Sequence, residues 1–245
     1  MNFRKAYRNF VPKLIVYLFN DLKMLNVYYL RLSDYQNRPD DFFLPYVSEK
    51  TAQEVRHYKN PSVRRTKLMG EGMVRLSIRA LWGLTDDAYR LRKGEHGKPY
   101  VDLLDLSVFY NLSHSGDYIV AVFAESEVGI DIERISRPRL EVARRFFHPG
   151  EIRRLEDADE ASRKGLFFHY WSVKESFLKY IGCGLSSPLS SFEVCCQGSE
   201  IRIMKENAWQ PVYIRPCAID EGYNCYVCSE NTQQPEIEEF QFPVV

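Results

Sequence analysis

The chain lacks an excess of charge of either sign. Its 245 residues carry 33 basic and 33 acidic side chains. A strong overall field is therefore absent, and neither nucleic acid nor an anionic membrane is the expected partner; any anion site has to be a local cluster. An apolar run of membrane-crossing length is also missing. FVPKLIVYLF, Phe10 to Phe19, is ten residues long, contains Pro12 and Lys13, and is followed by no small-residue cleavage site. There is no short repeat and no complete zinc set. Cys225 and Cys228 form one C-x-x-C pair, half the ligands a structural zinc needs. YNCYVC moreover reads as a strand, on which residues three apart face opposite ways. With Cys195 and Cys196 adjacent and Cys183 among glycines, the six cysteines read as reduced structural thiols in a cytoplasmic protein. A G-x-S-x-G elbow is absent too, so Ser113-His114-Ser115 is no hydrolase signal.

What is present is an ordinary globular composition, 45% apolar and 27% charged. Leu25 to Leu32 alternates like a strand. Val47 to Tyr58 reads as a helix, and so does Pro61 to Trp82, with Asn60 as N-cap, Pro61 at the first helical position and Met69, Met73, Leu76 and Ala80 as the buried stripe. Two strands follow around SVFYNLSHSGDYIVAVF, and NLSHSG reads as the turn between them. EVGIDIERI opens a second half as a strand. Helices are expected at Arg139–Phe147, Pro149–Asp157 and Ser162–Ile181, then strands at Ser191–Cys196, Glu200–Met204, Val212–Ala218 and Tyr223–Cys228. The expected fold is α+β: two similar α/β halves with a cleft between them. The expected divisions are an N-terminal extension at 1–23, halves at 24–125 and 126–230, and a C-terminal tail at 231–245 that is either poorly ordered or an edge wrap.

The chemistry concentrates in two segments. In GIDIE, Asp131 and Glu133 are two apart and share a strand face, while Ile130 and Ile132 fill the other. In WSVKESFLKY, the helical period puts Leu166, Tyr170, Val173, Phe177 and Ile181 on one stripe, and Phe168, Ser172, Glu175 and Lys179 on the opposite side. Carboxylates of Asp131, Glu133 and Glu175, if they converge, make a hard-oxygen site suited to Mg²⁺, which keeps waters and completes its shell with substrate phosphates. Anion contacts are offered by Ser113 and His114 in NLSHSG, by Lys98 in GKP, by Arg65 and Thr66 near a helix start, and by Lys50. On residues alone, a magnesium-dependent phosphodiesterase and a catalytically silent binding protein stay open beside a group transferase.

The order R-T, GKP, NLSHSG, GIDIE and WSVKESFLKYIGCGLS over about Leu25 to Phe192 resembles the 4′-phosphopantetheinyl transferases, specifically the larger single-chain type similar to surfactin synthetase activator. The resemblance implies pseudo-twofold symmetry between the halves, an active site in the cleft between them, and a monomer. It also implies a reaction: 4′-phosphopantetheine moves from coenzyme A to a serine hydroxyl of an apo acyl or peptidyl carrier protein, releasing adenosine 3′,5′-bisphosphate. By motif match, Asp131, Glu133 and Glu175 are the metal ligands, and Ser113 and His114 contact coenzyme A phosphates. Lys98 contacts the nucleotide portion, Arg65 and Thr66 lie near the adenosine diphosphate moiety, and Lys50 lies near the 3′-phosphate. A second lysine expected one turn after Lys50 is Gln53 here. Lys174 and Lys179 match motif lysines, Lys174 as a coenzyme A contact and Lys179 as a catalytic group beside Glu175 and His114. The proton acceptor for the carrier serine is left open among Glu175, a water on the metal, and Lys179. RPRLEVARR, Arg137 to Arg145, is the expected docking segment for the carrier's acidic helix.

Overall fold

The structure is a computed structural model that describes residues 25–94, 96–103 and 108–243. The extension expected at 1–23 lies outside the described residues. The chain runs β1 (Leu25–Arg31), α1 (Glu49–Glu54), α2 (Pro61–Trp82), β2 (Arg90–Lys93), β3 (Pro99–Asp102), β4 (Phe109–Ser115), β5 (Tyr118–Ala124), β6 (Val128–Arg134), α3 (Leu140–Phe146), α4 (Pro149–Asp157) and α5 (Glu160–Ile181). It continues β7 (Phe192–Gln197), β8 (Glu200–Lys205), β9 (Ala208–Trp209), β10 (Tyr213–Pro216), β11 (Tyr223–Ser229) and β12 (Glu236–Glu239).

One plan is used twice. The first half orders its main sheet β1-β5-β4 and the second β6-β11-β10, so in each the opening strand pairs with the last strand of the closing hairpin. Each half inserts a 22-residue helix, α2 or α5, after its opening strand, and a small antiparallel unit, β2-β3 or β7-β8-β9, before the hairpin. Even the helix ends agree. Asn60 accepts from the amides of Ser62 and Val63, and Asp159 from that of Ser162. Both helices stop at a left-handed glycine, Gly83 (φ 64°) and Gly182 (φ 69°), a conformation that costs other residues steric strain. The fold class is therefore α+β, as expected.

Three apolar clusters hold this plan together. α2 packs on the first sheet through Leu68, Met69, Met73, Val74 and Ile78, with Phe43, Ile119 and Phe123. The stripe expected through Ala80 turns aside, since Ala80 is exposed and the buried face runs on through Ser77, Ile78 and Trp82. The second half packs Phe147, Leu155, Phe167, Tyr170, Val173 and Phe177 against Phe192, Val194 and Ile203. Between the halves, Leu25, Val27, Val120 and Val122 meet Val128, Ile130, Ile132 and Val227. Cys225 belongs to this central cluster and Cys228 to the second-half core, so the C-x-x-C pair does face opposite ways, and all six cysteines are free thiols.

Of the two readings of the C-terminal segment, the structure has the edge wrap. β12 pairs parallel with β1, Asn26 opposite Glu236 to Tyr29 opposite Glu239. Phe242 then enters an aromatic cage of Tyr35, Phe42, Phe43 and Tyr46 at centroid distances of 5.5, 6.4, 5.1 and 5.4 Å. No helix of the described residues is long and apolar enough to cross a membrane.

His169 on α5 makes the fold sensitive to pH. Burial lowers its pKa from 6.5 to about 4, and its Nδ1 lies 2.8 Å from the Tyr226 hydroxyl. The unfolded chain takes this proton first, so the stabilisation is intact above pH 6.5 and is lost as pH falls towards 4. Urea unfolding at pH 7 and pH 5 should show about 2 kcal/mol of stability lost through this one group, and His169→Gln should flatten that part of the profile.

Candidate active site at the seam between the halves

β6 and α5 build the centre of the site by lying unusually close. A Cβ at Gly129 would overlap the Ser176 carbonyl oxygen and the Tyr180 amide nitrogen of α5, so only glycine permits this approach. Asp131 and Glu133, two and four residues on, share the Gly129 face. From α5, Glu175 and Lys179 come to meet them. Lys179 Nζ donates to Asp131 Oδ1 at 2.7 Å and to Ser113 Oγ at 2.8 Å, and Ser113 Oγ donates to the same Asp131 oxygen at 3.0 Å. Asp131 is 3% exposed, and its Oδ2 has no hydrogen-bond partner among the described residues.

The electrostatics follow from burial and proximity. Burial raises the Asp131 pKa, with the Lys179 ammonium pulling it back. Burial raises that of Glu133, and the Asp131 charge adds to it. Burial raises Glu175 as well, reinforced by Asp131 and Glu133 and opposed by Lys179. The Asp131 charge thus reaches both glutamates, and the three carboxylates have a single ammonium, that of Lys179, among them. As they stand they are no finished cage: among the described residues no group of three or more His, Cys, Asp or Glu side chains is arranged to hold a metal ion. They do fit a hard divalent cation in kind, offering carboxylate oxygens only, one of them buried and unpaired.

Other expected residues are placed variously. NLSHSG is not a turn. Asn111 to Ser115 lie on β4, the turn is confined to Gly116 and Asp117, and Ser113 and Ser115 therefore face β6 while His114 points the other way. His114 keeps much of its surface open, but neighbouring protein and then the Lys179 ammonium push its pKa down, with Asp131 partly offsetting them. Ser113, expected as a phosphate contact, is 7% exposed and spends its hydroxyl on Asp131, Lys179 and the Ile132 amide.

Lys98 bridges the halves. Its ammonium pairs with Glu127 and donates to the Tyr180 carbonyl at 2.6 Å, at the C-terminal end of α5 where a cation is favoured. A pocket of about 500 Å³ opens beside it, lined in part by His96, Tyr100, Phe109 and Ile181. Arg65 is occupied by Asp40 at 3.2 Å and by the carbonyls of Tyr35, Gln36 and Arg38, so it now secures the loop before α1. Thr66 is half-buried on the next position of α2. Lys50 stands in solvent on α1, 3.8 Å from Glu54 and apart from the seam's hydrogen bonds.

Lys174 corrects an expectation outright. Its ammonium is fully buried, 2.9 Å from Glu151, and donates to the carbonyls of Leu189 (2.8 Å) and Phe192 (2.7 Å). All three donors are used and none reaches the cleft, so it is no coenzyme A contact. Its spacing from Tyr170 and Phe177 already put it on the apolar stripe, a signal that the charge obscured. Glu151 was missed altogether. It completes a capping box with His148 and accepts from the Val194 amide at 2.7 Å, tying α4 to β7.

Comparison with known proteins identifies the family. A family model described as the 4′-phosphopantetheinyl transferase superfamily matches residues 127–228. The 4′-phosphopantetheinyl transferase gsp of Aneurinibacillus migulanus is 34% identical over 189 residues, covering 77% of this chain and 78% of that protein. The 4′-phosphopantetheinyl transferase Sfp of Bacillus subtilis (strain 168) is 34% identical over 209 residues, covering 82% and 92%. Among solved structures, a holo-[acyl-carrier-protein] synthase of Thermotoga maritima has a TM-score of 0.35 at 18% identity, over 42% of this chain and 61% of that one. The chain belongs to the 4′-phosphopantetheinyl transferase superfamily, and it is an enzyme of that kind, of the larger single-chain type.

A structural role for Lys174 has a clear signature. Lys174→Met takes the ammonium away from the buried Glu151 carboxyl and should cost about 3–5 kcal/mol in urea unfolding. Adding Glu151→Gln should recover much of that loss, and folded enzyme of either variant should keep the native apparent KM for coenzyme A.

Proposed function

We propose that the enzyme transfers 4′-phosphopantetheine from coenzyme A to a serine hydroxyl of an apo acyl or peptidyl carrier protein, releases adenosine 3′,5′-bisphosphate, and depends on Mg²⁺. The observation that supports the reading is that burial raises Asp131, Glu133 and Glu175 alike, and that Glu133 and Glu175 both lie near enough to Asp131 for its charge to raise them further. These three would hold the cation. When bound, it would neutralise the diphosphate of the donor and the charge that develops on the leaving group.

The chain's own residues do the rest. Lys179 donates to Asp131 and to Ser113, which holds the Asp131 carboxylate still at the bottom of the seam. As Lys179 is a donor in both contacts, Glu175 is the better acceptor for the serine proton. His114, exposed on β4, would contact the donor's anionic groups. Lys98 and Arg65 would bind phosphate only by exchanging present partners, Lys98 leaving Glu127 and the α5 carbonyl, Arg65 leaving Asp40. By motif match, Thr66 would lie near the adenosine diphosphate moiety and Lys50 near the 3′-phosphate. Burying this diphosphate between two halves excludes water, which favours transfer to a hydroxyl over hydrolysis. Arg137 to Arg145, on the strand exit and α3, is the proposed dock for an acidic carrier surface. A monomer in the cytoplasm fits this reading, since one chain carries both halves.

Incubating the protein with coenzyme A, Mg²⁺ and an apo carrier, then weighing the carrier, tests the proposal: each carrier should gain one phosphopantetheine group. Hydrolysis of coenzyme A with an unchanged carrier would favour a phosphodiesterase instead. Asp131→Ala or Glu175→Ala should lower the transfer rate at least ~10²-fold, the scale of losing a main electrostatic stabiliser. Full magnesium-dependent activity in Asp131→Ala would remove that residue from the metal site.

A further inference from the structure

β6 has two edges, and they are satisfied differently. One pairs with β11 through the backbone, Val128 opposite Ser229 to Arg134 opposite Tyr223. The other faces β4, and there side chains take the place of a strand. The Ile130 amide donates to Asn111 Oδ1 at 3.0 Å, the Ile132 amide to Ser113 Oγ at 3.4 Å, and the Arg134 amide to Ser115 Oγ at 3.1 Å. The spacing works because both strands repeat every second residue: a side chain on alternate positions of β4 meets an amide on alternate positions of β6.

Two rungs of this ladder also bind a carboxylate. Ser113 Oγ donates to Asp131 Oδ1 at 3.0 Å, and Ser115 Oγ donates to Glu133 Oε2 at 2.9 Å. Each hydroxyl thus accepts from the amide of one β6 residue and gives its single proton to the carboxylate of the residue before it. Asn111 is 4% exposed and bonds the backbone alone in this ladder, at the rung nearest Gly129. The first half therefore determines both where β6 lies and how its acidic side chains point.

We infer that Ser115 is a positioning residue for the transfer reaction: its hydroxyl orients the Glu133 carboxylate towards the cation site, while Asn111 anchors the strand that carries it. The inference rests on the magnesium-dependent reading above. Ser115 works through Glu133 and touches neither donor nor carrier serine. Partners that orient a metal ligand typically set metal affinity by ten- to a hundredfold.

The test compares Ser115→Thr, Ser115→Val and Asn111→Ala in the full chain. Thr and Val have nearly one shape and differ by the hydroxyl, so misfolding from bulk would strike both alike. Two readouts are taken with Mg²⁺ as probe: the concentration giving half-maximal transfer, and the concentration giving half of the rise in melting temperature with coenzyme A present. Ser115→Val should need about tenfold more Mg²⁺ on both scales, or more, and Ser115→Thr should restore the native values. Asn111→Ala should show the reverse balance, a lower melting temperature without metal and a smaller change in the Mg²⁺ requirement. Equal Mg²⁺ requirements for Val, Thr and native protein would overturn the inference while leaving the transferase reading intact. A native protein that neither responds to Mg²⁺ nor loads a carrier would overturn that reading and this inference with it.

Discussion

The seam depends on how closely α5 can lie on β6. At Gly129 the helix backbone occupies the volume in which any other residue would place its Cβ. That contact fixes the distance between the two elements and hence the distance between side chains that leave them. Asp131 can share Lys179 with Ser113 only because helix and strand are already in backbone contact two residues earlier. A wider spacing would let water between the carboxylates, and both the burial that raises their pKa values and the charge coupling among them would fade.

The rotation of α5 about its axis is fixed from its far side. Lys174 precedes Glu175 by one residue, about 100° around the helix, and its ammonium is locked by Glu151 and two carbonyls beneath β7. A buried ion pair is a poor source of net stability, since desolvation offsets its attraction. Here the hydrogen bonds are complete on the lysine, and the pair joins α4, α5 and the entry to β7. Its value is directional. With Lys174 pinned inward, Glu175 and Lys179 are delivered to β6, and α5 is wedged between a core on one flank and the charged seam on the other.

This double burial explains what was and was not legible in the sequence. α2 and α4 were readable to the residue, because Asn60-Pro61 and the Pro149 start are strong local signals and Gly83 ends α2. GIDIE was readable as a strand with its acids on one face. NLSHSG misled, since small hydroxyl residues are common both in turns and on strands whose side chains serve as acceptors; the N-x-S-x-S spacing was the distinguishing mark. The charged lysine in WSVKES was read as a coenzyme A contact. Only the fold supplies Glu151, from a helix more than twenty residues earlier in sequence, to make its burial tolerable. Arg65 and Lys98 carry the same lesson. Motif and spacing show that a cation is present, whereas its partner depends on tertiary contacts such as Asp40 and the end of α5.

What remains at the centre is an imbalance of charge. Three carboxylates face one ammonium, and the oxygen with the least company is Asp131 Oδ2, which is buried. Two things can relieve such an arrangement: protons or a cation. The raised pKa values express the first, and it weakens as pH rises past the ordinary carboxylate range. A divalent cation relieves it without that loss, and by displacing protons it binds more firmly as pH rises. The residual charge of about two negative units would repel a diphosphate, so under the proposed reaction such a substrate would need a cation beside it. The acidity of the site, unhelpful to anion binding by itself, thus becomes the reason that metal and donor would have to arrive as partners.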